Sequence, residues 1–333
     1  MTGRPILSIC IPTYNRGKIL SEILKKYLAN DNKDFNIIVA DNNSEDDSYK
    51  YLEEIKDERL LLSKNDTNIG SFSNIFKTLS LSTGKYAMLL MDKDLLDMKN
   101  IDKITEFLKT VDVSAGIFAP DLENDTIETT VIENYSEKII NYCFNGNHPS
   151  GVFYNTENVD FKKIEEDLKK YDEEIRPYAT DFVLTYFAND KKPFIKIKID
   201  FVHFVRPPFD GVEHSFSYSP EKKNIFFVPE FRFKVFENYV KFLEIFKIKL
   251  SERYSIVKQL IKKIKDACTQ DYLWVLEQKT ICDWYNITEE FIEREKQKDL
   301  LGEFFDKLKN SKVFRKNLMY KFIVFNLSKR KSK

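Results

Sequence analysis

Apolar runs in the first third of the chain break off, one after another, in clusters of small polar side chains, and this pattern restricts the fold to an open α/β sheet. Residues 6–11 (ILSICI) read as a buried strand that stops at Pro12-Thr13-Tyr14-Asn15, and residues 37–40 as a second that stops at Asp41-Asn42-Asn43-Ser44. Between them, Ile19, Leu20, Ile23, Leu24, Tyr27 and Leu28 recur at helical spacing within 18–28, as expected of a crossover joining parallel strands. Residues 48–55 supply another helix and 60–62 a third short strand. In such sheets the ligand sits at the carboxyl ends of the strands, where these polar residues lie.

The segment 85–96 (KYAMLLMDKDLL) sharpens that expectation. An apolar run over 86–91 ends in Asp92-Lys93-Asp94, so a buried strand delivers two carboxylates to its tip, where a hard divalent cation can use their oxygens. On an extended chain Asp92 and Asp94 point to one side and Lys93 to the other, so one metal or one nucleotide meets both.

Residues 8–16 (SICIPTYNR), 38–44 (IVADNNS), Asn68-Ile69-Gly70 with Ser73 and Asn74, 83–86 (TGKY) and Asp92-Lys93-Asp94 stand in the order and at the spacing of family 2 glycosyltransferases. The resemblance covers residues 1–100 well and thins beyond them. It implies a glycosyltransferase A fold, a nucleotide-sugar donor, most often a UDP-sugar, and inversion at the anomeric carbon. It also implies a donor site built from Pro12, Thr13, Tyr14 and Asn15, from Asp41 and Asn43, and from Asn68, Gly70 and Asn74, with Asp41 accepting the base N–H. The Asp-x-Asp pair carries over to Asp94 as a direct ligand of Mn²⁺ or Mg²⁺ and to Asp92 nearer the ribose or the metal's waters. Two departures stand out. Asn42 and Asn43 replace the Asp and Gly frequent in the family, and Leu95 replaces a third acid. Asn tolerates turn conformations, so the turn is expected to survive with less charge, while the metal has fewer carboxylates.

The chemistry agrees with that resemblance. A nucleoside diphosphate leaving group is anionic, and a divalent ion bridging its phosphates stabilises charge that develops in the transition state. Magnesium-like ions need only one or two protein carboxylates besides the phosphates. An inverting transfer also needs a base within reach of the attacking hydroxyl. Asp181, in 176–181 (RPYATD) before an apolar helical pattern, matches by position the acidic residue the family places there, with Thr180 in place of the usual Glu. The residue pattern alone fits a helix N-cap as well. His148 reads as a loop residue or a lining of the acceptor pocket, and His203 as a strand residue without a chemical role. His214 lies in a loop that reads as a lid over the donor, where it is either a surface residue or a third metal ligand.

A length of 333 residues predicts about two domains. The formal net charge is zero, so no global field recruits nucleic acid, and none is expected as a partner. Four cysteines without a C-x-x-C pair suggest neither a zinc site nor a disulfide framework and fit a reducing cytoplasm. No charged leader followed by an apolar run opens the chain, and no apolar stretch approaches the length needed to span a bilayer.

The expected organisation is a catalytic domain over 1–235, with a nucleotide-sugar-binding half at 1–110 and an acceptor half at 111–235, followed by a helical region at 236–333. Strand-like segments at 114–120, 151–154 and 194–209 belong to the acceptor half, and an acidic stretch to residue 174 reads as insertions. Between 307 and 333, ten Lys and Arg face no acid. Phe314, Leu318, Phe322 and Phe325 share a helical stripe there, so the tail reads as a basic amphipathic helix suited to an anionic membrane, or as a helix packed on the protein. The expectation is thus a metal-dependent inverting glycosyltransferase of bacterial surface glycoconjugate synthesis. It would be peripheral on the inner face of the plasma membrane, with a glycan or glycolipid acceptor. A degenerate interaction subunit and a nucleotidyltransferase are the alternatives, although Gly17-Lys18 is too little for the latter's phosphate loop.

Overall fold

The computed structural model describes residues 3–120, 126–157, 159–171, 179–204 and 227–329. The chain divides into two compact units, Met1–Lys170 with Ala179–Asp210, and Tyr171–Tyr178 with Gly211–Lys333. The division falls before residue 235, which lies inside a continuous helix, Pro229–Phe242.

The strands of the first unit are β1 (Leu7–Thr13), β2 (Phe35–Asp41), β3 (Leu60–Lys64), β4 (Tyr86–Leu89), β5 (Leu95–Leu96), β6 (Ala115–Pro120), β7 (Glu128–Ile132), β8 (Val152–Asn155), β9 (Phe194–Ile199) and β10 (Val202–His203). Eight of them form one mixed sheet in the order β3-β2-β1-β4-β8-β6-β9-β7, and β5 pairs with β10 in a separate ribbon. The first four are mutually parallel, as the crossover pattern predicts. Strand β8 enters antiparallel between β4 and β6, which makes the sheet mixed. Every residue of β1 and β2 is buried, because helices cover both faces of a parallel sheet.

Strand β1 continues through Pro12 to Thr13 instead of stopping at Pro12. Cys10 presents its carbonyl to Leu90 of the β4 side, so Pro12, two residues on, turns its missing N–H toward that same side, where β4 has already ended. The edge strand β7 lies within the acidic stretch, and with Glu128, Thr129 and Thr130 exposed and polar and Val131 exposed as well, it shows no apolar alternation that marks a strand.

The second unit is helical in its described part, from Pro229–Phe242 to Leu318–Lys329. One of its apolar clusters gathers Phe227, Tyr272, Leu276, Cys282, Tyr285, Ile287 and Leu300. The tail stripe divides in two. Phe314 is buried and stacks on Phe236 at 5.8 Å, and Tyr320, Ile323 and Val324 are buried as well, whereas Phe322 and Phe325 are 59% and 54% exposed. The tail helix therefore packs on its own unit and leaves two rings outside. Among the described residues no helix is long and apolar enough to cross a membrane.

Candidate functional site

The ends of β1 and β2 are tied to each other by their polar turns. Asn42 N–H donates to the Thr13 carbonyl at 2.9 Å, and Asn15 N–H donates to Ser44 Oγ at 2.8 Å. Asn15 returns the contact by accepting the Glu45 N–H at 2.9 Å. Asn15 and Asn43 adopt φ of 56° and 59°, the left-handed region that Asn enters at least cost after Gly, so the turn survives the departure at Asn43. Asp41 is fully buried, and its carboxylate accepts the backbone N–H and the hydroxyl of Ser44.

Behind this turn lies an amide network. Asn74 Nδ2 donates to the Ala40 carbonyl, Asn65 bridges Asn42 and Asn74, and Asn42 donates to Asn68 Oδ1, all at 2.9–3.0 Å. Asn68 Oδ1 also accepts the N–H of Gly70, whose φ of 80° precedes the helix Ser71–Ser80. Asn74 is 2% exposed and spends its amide on the backbone of β2, so it supports the turn from behind. Asn68 and Gly70 are exposed at its rim.

Asp92 and Asp94 do not lie on an extended chain. Strand β4 ends at Leu89, and Asp94 N–H donates to the Met91 carbonyl in a tight turn, so strand alternation does not apply to the pair. Each carboxylate meets a different wall. Asp92 Oδ2 accepts the Thr13 hydroxyl at 2.9 Å, and Oδ1 lies 3.5 Å from the Arg16 guanidinium. Burial nevertheless pushes its carboxyl above the usual range, with Arg16 and the Thr13 and Tyr14 hydrogen bonds opposing. Asp94, 2% exposed, accepts the Ser150 hydroxyl at 2.5 Å, and His148 Nδ1 lies 3.6 Å from the same oxygen. Ser150 also accepts the Met91 N–H at 2.9 Å. Thr13, Asp41, Asp92 and Asp94 thus stand at the carboxyl ends of three adjacent strands. Two hard carboxylates, one destabilised as an anion by burial, suit a divalent cation better than they suit each other. His214 lies outside the described residues.

Asp181 is neither a helix cap nor an open base. It sits in the first turn of the helix Ala179–Ala188, 1% exposed. Its Oδ2 accepts the N–H groups of Asn145 (3.2 Å) and Gly146 (2.8 Å), and Oδ1 accepts the N–H (3.2 Å) and side-chain amide (2.8 Å) of Asn147. Four donors fill the four lone-pair positions of a carboxylate. Burial pushes its pKa up to about 7 against those four bonds.

Sequence reasoning missed Arg16 and Ser150, whose contacts to the carboxylates are made only by the fold. His203, a strand residue without a chemical role by its sequence context, has its Nε2 2.6 Å from Asp200 Oδ1, and Asp97, Asp200 and His203 bring three ligand atoms within 4.8 Å of one another. The Lys99 ammonium already sits 3.1 Å from Asp97 and 2.7 Å from Asp200, so a cation fills that cluster.

The sheet order and the carboxylates at the strand ends define the glycosyltransferase A class of nucleotide-binding α/β proteins. Residues 8–171 match the model of glycosyl transferase family 2, and the chain belongs to that family. An uncharacterised glycosyltransferase, MJ1057 of Methanocaldococcus jannaschii, is 28% identical over 57% of this chain and 67% of the relative. The Escherichia coli UDP-Glc:alpha-D-GlcNAc-diphosphoundecaprenol beta-1,3-glucosyltransferase WfaP is 27% identical over 41% of this chain. The chain spans about half the length of WfaP, 54%. Among solved structures, S. aureus TarS 1-349 superposes with a TM-score of 0.54 at 14% identity, over 86% of this chain and 80% of that one. The same protein in complex with UDP-GlcNAc gives a TM-score of 0.51 at 15% identity, over 88% and 92% of the two chains.

Proposed function

We propose that this protein transfers a sugar from a nucleoside diphosphate sugar to a hydroxyl of a glycan or lipid-linked acceptor, with inversion, in the assembly of surface glycoconjugates. One observation carries the reading: Thr13, Asp41, Asp92 and Asp94 converge at the carboxyl ends of β1, β2 and β4, where α/β sheets bind nucleotides. WfaP by its name uses UDP-Glc and a diphosphoundecaprenol-linked acceptor, and TarS was solved with UDP-GlcNAc, which favours a UDP-sugar here.

Asp94 and Asp92 would hold Mn²⁺ or Mg²⁺, whose chemistry is to neutralise the diphosphate as it departs. Asp41 and the turn at Asn43 hold the nucleoside, and the Asn68–Asn74 amide network keeps that turn in place. On the acceptor side Asp181 takes the proton. Three of its donors are backbone N–H groups, but the fourth is the Asn147 side chain, which on rotating away gives up this bond and its bond to the Tyr142 carbonyl. An acceptor hydroxyl that replaces it donates to the same lone pair, attacks the anomeric carbon, and passes its proton to Asp181 while the sugar–phosphate bond breaks with its electron pair on the diphosphate. A carboxyl near pH 7 in affinity is matched to that task.

The second unit, on this proposal, rests on an anionic lipid surface. Phe322 and Phe325 are exposed beside Lys321 on the tail helix, a pairing of apolar and cationic side chains suited to a membrane interface. The test of the reaction is a screen of nucleotide sugars with Mn²⁺ present. It should reveal a donor that releases free nucleoside diphosphate, and failure of every UDP-, GDP- and deoxythymidine diphosphate sugar to turn over would refute the reading.

A further inference from the structure

Beside Asp94 the first unit contains a cavity of about 490 Å³, a size typical of small-ligand sites. Its floor is a row that the sheet register sets side by side, Ile117 on β6, Lys196 on β9 and Thr130 on β7. Over that floor stand Tyr142, from the turn Ile139–Cys143, and the loop amides of Asn145 and Asn147. His148 closes one side, its ring 4.3 Å from that of Phe204. His148 and Ser150 both line this cavity and both approach Asp94, so it is continuous with the strand-end site.

The charge in the cavity is unbalanced. Among the described residues none that lines it is a carboxylate. The neighbouring Lys198 lies 4.0 Å from Glu128, but among the described residues Lys196 has no carboxylate partner, although it is half-buried. A half-buried lysine in a cavity, with no carboxylate partner, favours a ligand that brings one. Amides, a phenol and ring faces around it match the mixed polar and apolar surface of a sugar.

We propose that this cavity receives the acceptor sugar and that Lys196 selects acceptors carrying an anionic group, a carboxylate or a phosphate. The inference rests on the glycosyltransferase reading and adds to it the acceptor's charge. A charge-assisted hydrogen bond to Lys196 is expected to favour an anionic over a neutral sugar by about 10- to 100-fold.

The test measures binding of four probes to the full-length protein by NMR titration: methyl glucoside, glucuronate, glucose 6-phosphate and inorganic phosphate. One or both charged sugars should bind at least about tenfold more tightly than methyl glucoside, in line with that hydrogen bond. Which of the two does so assigns carboxylate or phosphate. Lys196→Met should erase the preference, while Lys196→Arg should keep it. Equal binding of charged and neutral sugars, no sugar binding at all, inorganic phosphate binding as well as the charged sugars, or a preference that survives Lys196→Met would each overturn the proposal. UDP and GDP titrated in parallel report the donor site separately. Nucleotide binding with no charged-sugar preference defeats this inference alone, whereas a charged-sugar preference with no nucleotide binding defeats the donor reading on which its acceptor role rests.

Discussion

Asp181 Oδ2 receives the backbone N–H of Gly146 at 2.8 Å, joining the first turn of a helix to a loop 35 residues earlier. Asp181→Asn places an amide donor against two N–H groups, because only one of its two terminal atoms can accept. On the proposed mechanism transfer should fall by about 10² to 10⁴ while nucleotide binding persists. Near-normal transfer in this variant would remove Asp181 from the proton path. The Gly146 amide resonance should also shift with a midpoint near pH 7 in the wild type and lose that transition in the variant.

The same carboxyl couples stability to pH. Its folded pKa, about 7, lies above the ordinary 3.8 of a free Asp, so the folded state binds the extra proton between those values. Its contribution is fully present below pH 3.8 and is lost as pH rises through about 7. The stability of the wild type relative to Asp181→Ala should therefore decline from pH 5 to pH 7 by about 1 kcal/mol per pH unit. Paired urea titrations read this directly, and a difference that grows with pH would contradict the assigned shift.

Ser150 Oγ donates to Asp94 and accepts from Met91 N–H, so it fixes the carboxylate to the turn that carries it. Ser150→Ala should leave both groups without their partner and cost about 1–3 kcal/mol in stability. Its effect on turnover should be partly restored by raising Mn²⁺, whereas Asp94→Ala should not be rescued at any concentration. Metal titrations of the two variants separate positioning from ligation.

Phe322→Ser with Phe325→Ser should release the protein from anionic vesicles with only a small loss of melting temperature, because both rings are more than half exposed. Tyr320→Ala on the same helix should instead destabilise the fold by about 3–5 kcal/mol, as large aromatic truncations in cores do. Co-sedimentation at low and high salt decides the first claim. Wild-type protein that stays in the supernatant at low salt would leave the exposed rings without a membrane role.

Gly17 approaches the backbone of Ser48 so closely that an added Cβ would lie 2.2 Å from the Ser48 carbonyl oxygen. Gly17→Ala should therefore lower stability by at least about 1–3 kcal/mol, since neither backbone can yield cheaply. Unchanged denaturant midpoints would contradict this packing.

The parallel half of the sheet was legible in the sequence because apolar runs and polar strand ends are local signals. The position of Thr13, Asp41, Asp92 and Asp94 at or just beyond strand ends was legible for the same reason. The antiparallel entry of β8 and the exposed edge strand β7 were not, since pairing across tens of residues leaves no periodic trace. Strand alternation failed at Asp92 and Asp94 because a turn replaces the strand after Leu89. Asn74 illustrates a different limit: a polar side chain beside a ligand turn can bind the turn's own backbone, and only its burial distinguishes the two. The tail's Phe stripe is split by a helix break at Asn317: Phe314 is buried before it, Phe322 and Phe325 are exposed after it, and the apolar surface that packs there is that of Tyr320, Ile323 and Val324.

Calorimetric titration of UDP and GDP into the wild type and Asp94→Ala, each with and without Mn²⁺, tests the strand-end donor site most directly. At least one nucleotide should bind the wild type, Mn²⁺ should tighten its binding, and Asp94→Ala should abolish the metal's contribution while a weaker metal-free binding remains. Absence of nucleotide binding to the wild type, or an Mn²⁺ enhancement undiminished in Asp94→Ala, would contradict that site.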